Sequence, residues 1–290
     1  MSNKKKKNSN YQTAKRASSA AAAKKKKKKL SKDAVIGIIC AAVILLAVVL
    51  TITFCAVNKD KDGTNDDTNN TAFKGVYADD DSTVGKGACT YLTTRNTEGR
   101  DLRYVKMRVE GHGSIVLLLD ATTAPISVNN FMNLVNKGFY NGLTFHRILE
   151  NFMIQGGDPK GNGTGGNVDE NGDEVNIKGE FDNNGHTNDI SHKRGVISMA
   201  RSGNPYYPSL AYNTASSQFF ICNADSPTLD GDYAAFGYVI AGLDVVDSIT
   251  ADGMQYTSSA QNGAISDKKN QPKIISVVEI TEEEAMSYVK

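Results

Sequence analysis

The sequence has no tryptophan, and only four cysteines and four histidines among 290 residues. These scarcities exclude several chemistries. No C-x-x-C pair occurs, so the chain carries neither a thioredoxin-type redox centre nor a zinc ribbon. Cys40 and Cys55 sit in an uncharged apolar run, and only Cys89 and Cys222 lie outside it. That is no disulfide framework. A Cys89–Cys222 bridge is open to the chain, but Cys222 follows Phe219-Phe220-Ile221 and reads better as a buried apolar group. His112, His146, His186 and His192 show no ligand spacing and no H-E-x-x-H. G-x-S-x-G is absent too, which leaves a nucleophile-elbow hydrolase without support.

What is present is unevenly placed. Residues 1–33 hold 13 Lys+Arg and one acid, Asp33, leaving 20 basic and 31 acidic residues for the remainder. The head is low in complexity, with lysine runs at 4–7 and 24–29 around an alanine run at 20–23, and cannot bury a core. Lysine runs can neutralise phosphates, but no aromatic residues interleave them and no folded module surrounds them, which argues against nucleic acid as a partner. Residues 34–57, AVIGIICAAVILLAVVLTITFCAV, then run for 24 positions without a charge. At about 1.5 Å per residue they reach roughly 36 Å, enough for a bilayer core of about 30 Å. The run is longer than a cleaved signal's apolar region, and no Ala-x-Ala site closes it. The basic flank lies on its N-terminal side, which places the head in the cytoplasm and everything after residue 57 outside. The expected organisation is a basic cytoplasmic head (1–33), a single transmembrane helix (34–57), a polar stalk (58–100) and a folded domain (101–290). The expected location is the cell membrane, single-pass, with the domain extracytoplasmic. Residues 88–94 are a candidate strand within the stalk.

From residue 103 the patterning changes. Residues 103–109 alternate, Gly111-His112-Gly113 marks a turn, and 115–119 form an apolar run, together a hairpin. Pro125 opens a helical pattern with Val128, Phe131, Met132, Leu134 and Val135 on one face and Gly138 as its stop. Two strand-like runs flank a tight turn at Glu150-Asn151. Short apolar runs follow at 196–200, 218–222 and 234–239, then a second helix at 243–249 and a last strand at 274–280. Many short strands with two helices predict a mainly β fold, a closed antiparallel barrel or sandwich with helices at its ends.

Three motifs bear on chemistry. Residues 161–166, GNGTGG, satisfy G-x-G-x-x-G, but a polar, turn-like stretch follows where a dinucleotide site needs a helix. A close-approach loop is the better reading. Asp169-Glu170-Asn171-Gly172-Asp173, with Glu180 at the twelfth place, resembles a calcium loop. Glu174 stands where that loop requires glycine, so a solvated acidic turn is expected and no metal. Arg147 remains, amid Phe152, Met153, Gln155, Gln218 and Phe220. By composition it is either a site cation or an arginine that reaches solvent from a core hairpin.

Residues 145–159, FHRILENFMIQGGDP, together with GNGTGG, closely resemble the signature of cyclophilins, the peptidyl-prolyl isomerases. The resemblance continues in order through Ser198-Met199-Ala200, Ser217-Gln218-Phe219-Phe220-Ile221, Leu229-Asp230-Gly231 and Phe236-Gly237, covering residues 103–280. It implies a closed eight-stranded antiparallel barrel capped by two helices, and isomerase activity without nucleophile, metal or cofactor. It implies that Arg147 is the catalytic cation, that Phe152, Met153, Phe220 and Leu229 line a proline pocket, and that Gln155 holds the substrate backbone. Ala200, Arg201 and Gln218 border the groove by the same resemblance, with Gly163 and Thr164 along its neighbouring side. The chain departs from the family at three walls of that groove. Thr228 replaces a tryptophan, Tyr233 a histidine and Arg201 an asparagine. Tyr233 still closes the pocket with a ring, and loss of the tryptophan implies weak cyclosporin binding. Residues 204–216, with Pro205, Tyr206, Tyr207, Pro208 and Tyr212, are longer than the family's link and are expected beside the groove. The resulting expectation is an isomerase acting on proline-containing exported or surface polypeptides. The alternative is a cyclophilin-like binding module or chaperone that holds such segments with little turnover.

Overall fold

The computed structural model describes residues 84–90 and 96–289. The head, the apolar run 34–57 and most of the stalk lie outside the described residues. Among the described residues, no helix is long and apolar enough to cross a membrane.

Eight strands form one sheet: β1 (Leu102–Val109), β2 (Gly113–Asp120), β3 (Phe145–Leu149), β4 (Met153–Gly156), β5 (Val196–Met199), β6 (Phe219–Cys222), β7 (Ala235–Ala241) and β8 (Ile274–Ile280). Their order is β3-β4-β6-β5-β7-β2-β1-β8, and every pairing is antiparallel. The expected closed barrel is corrected to a curled half-barrel. Its edge strands β3 and β8 share no ladder, and the isolated Thr144–Lys273 bridge spans the gap with a few backbone hydrogen bonds beside it, such as Phe145 N–H to Pro272 O at 2.9 Å. A period-two pattern reports which face of a strand is buried, not whether the outer strands join.

β2 explains its own unbroken apolar run. Ile115, Leu117 and Leu119 enter the main core, while Val116 and Leu118 enter a second cluster with Tyr104, Tyr238, Ile240 and Ala285. A strand covered on both faces does not alternate. Helices α1 (Pro125–Asn136) and α2 (Leu243–Met254) bury Phe131, Leu134, Val245, Val246 and Ile249 in the main core. There Phe131 packs against Tyr140, Phe219 and Phe236 at ring-centroid distances of 4.9, 5.6 and 5.4 Å.

A third helix, α3 (Glu282–Tyr288), adds to the two that were expected. Thr281 caps it by accepting from the Glu284 N–H, and Lys106 on β1 pairs with Glu284 at 2.8 Å. At seven residues its apolar signal is short, and Ala285 is the one side chain it buries. Residues 84–90 also lie against this unit. Gly85 donates to Ser114 O at 3.0 Å, Cys89 donates to Val239 O at 2.8 Å, and the Lys86 N–H donates to Asp244 at 2.6 Å. Cys89 and Cys222 are both buried and are not joined by a disulfide, and burial pushes the Cys222 thiol up.

Candidate active site

The site begins with strand register. Arg147 on β3 stands opposite Gln155 on β4, Gln155 opposite Phe220 on β6, and Phe220 opposite Ser198 on β5. Directly paired residues project from the same face, so four strands place Arg147, Gln155, Phe220 and Ser198 in one rank. Their chain neighbours Ile148, Ile154, Phe219 and Ile221 point the other way, into the main core. The β3–β4 turn, with Asn151 at φ 58°, sends the chain straight back and sets this register.

Arg147 is held at two points. Its Nε donates to Asn262 O at 2.8 Å and its Nη1 to Gln155 Oε1 at 2.9 Å. Gln155 Nε2 then donates to Gln218 Oε1 at 2.9 Å, and Gln218 Nε2 to Gly165 O at 2.8 Å. This relay fixes both amides and leaves part of the guanidinium fork unused by the protein. Burial lowers the Arg147 pKa, and the nearby Tyr233 works against that.

Next to the guanidinium lies a pocket of about 150 Å³ lined by Arg147, Phe152, Met153, Gln155, Ala200, Arg201, Phe220, Leu229 and Tyr233. The Phe220 ring is its centrepiece. Tyr233 meets it edge-on at 5.9 Å, and His192 stacks behind it at 6.0 Å. A second, polar recess of about 190 Å³ adjoins it and shares Gln155, Ala200 and Arg201. Gly163, Thr164 and Gln218 line that recess. The two recesses together collect all twelve residues singled out from the sequence.

The loop 161–166 is not followed by a helix. It winds around Asp158, whose carboxylate accepts from the N–H groups of Lys160, Asn162 and Gly163 at 2.7, 2.9 and 2.6 Å. A Cβ at Gly165 would lie 2.1 Å from Asp158 Oδ1, so glycine is required there for close approach. Burial opposes ionisation of Asp158, but the three N–H groups and the nearby His146 outweigh it and hold the carboxyl below its usual value. His146 is buried beneath this loop and its pKa is lowered by burial, with Asp158 pulling upward.

Several residues here escaped the sequence reading. His192 Nδ1 meets Asp230 at 2.8 Å and its Nε2 meets Ser198 Oγ at 3.0 Å, which braces the ring behind Phe220. Burial lowers its pKa, against the pull of Asp230. Asp230 was visible in Leu229-Asp230-Gly231, but no spacing rule links it to His192. Glu174, Ser202, Thr214 and Ser216 line the polar recess. Their only signal was proximity to the glycine loop or to the long 204–216 segment. Glu180, at the twelfth place of the acidic stretch, serves α1. It is fully buried and accepts from the N–H groups of Ile126 and Ser127 at 2.9 and 2.7 Å, which caps α1.

The fold and the site define an antiparallel half-barrel that holds a fixed guanidinium at the rim of an apolar pocket. The comparisons make that specific. The family model for cyclophilin type peptidyl-prolyl cis-trans isomerase/CLD matches residues 104–279. A peptidyl-prolyl cis-trans isomerase of Helicobacter pylori is 43% identical over 139 residues, covering 47% of this chain and 74% of that relative. One from Schizosaccharomyces pombe is 42% identical over 135 residues, covering 46% and 76%. The crystal structure of a cyclophilin-type isomerase from Cryptosporidium parvum superposes with a TM-score of 0.52 at 26% identity, over 63% of this chain and 99% of the other. The chain belongs to the cyclophilin-type peptidyl-prolyl cis-trans isomerase family, and it is a peptidyl-prolyl cis-trans isomerase.

Proposed function

We propose that Arg147 is the catalytic group and that the pocket beside it seats the proline ring of an X-Pro bond. The observation that carries this reading is one guanidinium, fixed from two sides, at the rim of a ring-lined apolar pocket. An X-Pro bond prefers trans only slightly, yet its rotation barrier is about 18–20 kcal/mol. Rotation breaks amide resonance and no covalent bond. At the twisted midpoint the proline nitrogen regains a lone pair, and Arg147 donates a hydrogen bond to it. Arginine suits the task because its charge is permanent and its fork rigid. The apolar seat of Phe152, Met153, Phe220 and Leu229, closed by Tyr233, favours the less polar twisted amide. Gln155 steers Arg147 and meets the substrate backbone. Ala200, Arg201, Gln218, Gly163 and Thr164 flank the chain on the polar side. A rate gain of about 10⁵ requires about 7 kcal/mol of differential transition-state binding, within reach of one charged hydrogen bond and a desolvated seat.

The substrates are proline-containing polypeptides outside the cytoplasm. The uncharged run 34–57 and the basic head before it support a single-pass anchor with the isomerase domain on the far side of the cell membrane. The experiment is proline isomerisation of a short peptide by the purified full chain, wild type against Arg147→Ala. A large loss in the variant supports the catalytic role. Equal slow rates for both would leave a module that binds proline segments with little turnover.

A further inference from the structure

The segment 204–216 exposes apolar surface that the isomerisation site does not use. Tyr206, Tyr207 and Leu210 are 84%, 66% and 72% exposed. No other stretch of the described residues shows three large apolar side chains so exposed within five positions. The segment is nevertheless held. Asn204 Oδ1 accepts from the Tyr206 and Tyr207 N–H groups at 3.1 and 2.9 Å. Pro208 opens a short 3-10 turn. Thr214 Oγ1 accepts from the Ser202 N–H at 3.0 Å and donates to Ala211 O at 2.8 Å, which ties the two ends together. Below the tip, Tyr212 packs edge-on against Phe181 at 5.1 Å, and the Arg201 guanidinium lies over the Tyr212 and Tyr233 rings at 5.3 and 4.5 Å. Within the loop Ala211 is buried and Tyr212 half-buried, while the three tip side chains stay largely exposed.

The base of this loop is continuous with the groove. Ser202, Thr214 and Ser216 line the polar recess, which shares Gln155, Ala200 and Arg201 with the apolar pocket. A chain whose proline lies in the pocket and whose neighbouring residues cross the recess reaches the loop next.

We propose that Tyr206, Tyr207 and Leu210 form an accessory docking surface for unfolded polypeptide, taking aliphatic or aromatic side chains that flank the isomerised X-Pro bond. The occupant is a nonnative chain, because a folded client keeps such side chains inside. Tyrosine suits the role, since it offers a rigid ring and a polar tip at low entropic cost. The surface raises affinity for long, apolar substrates and leaves the chemistry at Arg147 untouched. This inference rests on the proposed groove.

The test compares two substrates on the full chain: a short single-proline peptide with no apolar flank, and an unfolded protein whose refolding is limited by proline isomerisation. The variant is Tyr206→Ser/Tyr207→Ser/Leu210→Ser. Its kcat/KM on the short peptide is expected to stay within about twofold of wild type, while catalysis of refolding falls by about fivefold or more through KM. Tyr206→Phe/Tyr207→Phe, which keeps the rings, is expected to retain both. Equal activity of wild type and the serine variant on the protein substrate overturns the proposal. So does an equal loss on both substrates, which would make the loop structural. Concentration-dependent dimers in sedimentation, lost in the serine variant, would overturn it by assigning the surface to a second copy. A failure of the groove reading itself is separate: the wild type and Arg147→Ala would then already match on the short peptide.

Discussion

Arg147 acts within a relay of side chains, and its position depends on residues far away in sequence. Gln155 and Gln218 orient it in turn, and Asn262 O holds the other side of the fork. The stretch around Arg147 stood out through its resemblance to the cyclophilin signature, whereas its composition alone read equally well as a core hairpin. The brace behind Phe220 did not stand out, because His192 and Asp230 meet only through folding. That brace carries a pH dependence. Burial holds the His146 and His192 imidazoles below their usual value. The unfolded chain takes up protons near pH about 6.5, and the folded chain only at lower pH. Stability is therefore full above that point and declines as the pH falls from it toward the folded values. Asp158 and Asp230, held below the ordinary carboxylate value, add a separate loss at still lower pH. Denaturant midpoints are expected to be lower at about pH 5.5 than at about pH 7.5, with His192→Gln flattening part of the slope. A midpoint that rises on acidification across that range contradicts the assignment.

At the scale of elements, the alternation at 103–109, the short apolar runs and the helical pattern after Pro125 came through: all eight strands, both long helices and the face that α1 buries. Features set by long-range contact did not. α1 begins without a capping side chain of its own, and Glu180, 53 residues from Ser127, supplies the acceptor. Read locally, Glu180 was the end of an acidic turn. Its cap satisfies two N–H donors and the Ser127 hydroxyl, and the Glu180 carboxylate that supplies it is itself fully buried. Glu180→Ala would leave those donors unpaired, at a cost of about 2 kcal/mol. For a domain of this size that lowers Tm by about 4–8 °C. Thermal unfolding followed by circular dichroism checks it, and a Tm within about 1 °C of wild type would remove Glu180 from the cap. The open seam between β3 and β8 has the same origin. Closure depends on curvature summed over eight strands, and no single strand encodes it.

For the whole molecule, the central question is where the isomerase works. The strongest sequence feature, the uncharged run at 34–57, lies outside the described residues, so the folded domain is read from the structure and the proposed anchor from the sequence alone. The full chain is expected to sediment with membranes and resist alkaline carbonate, and removal of residues 34–57 is expected to release it. Release of the full chain by carbonate alone would argue for a peripheral attachment. The account as a whole turns on separating binding from turnover. Equilibrium exchange NMR on a single-proline peptide does this directly, since it reads both the bound fraction and the rate of cis–trans exchange on the enzyme. With the full chain carrying Arg147→Ala, peptide binding is expected to stay within about threefold while on-enzyme exchange falls by about 10²-fold or more. Exchange in the variant as fast as in wild type would contradict the role given to Arg147.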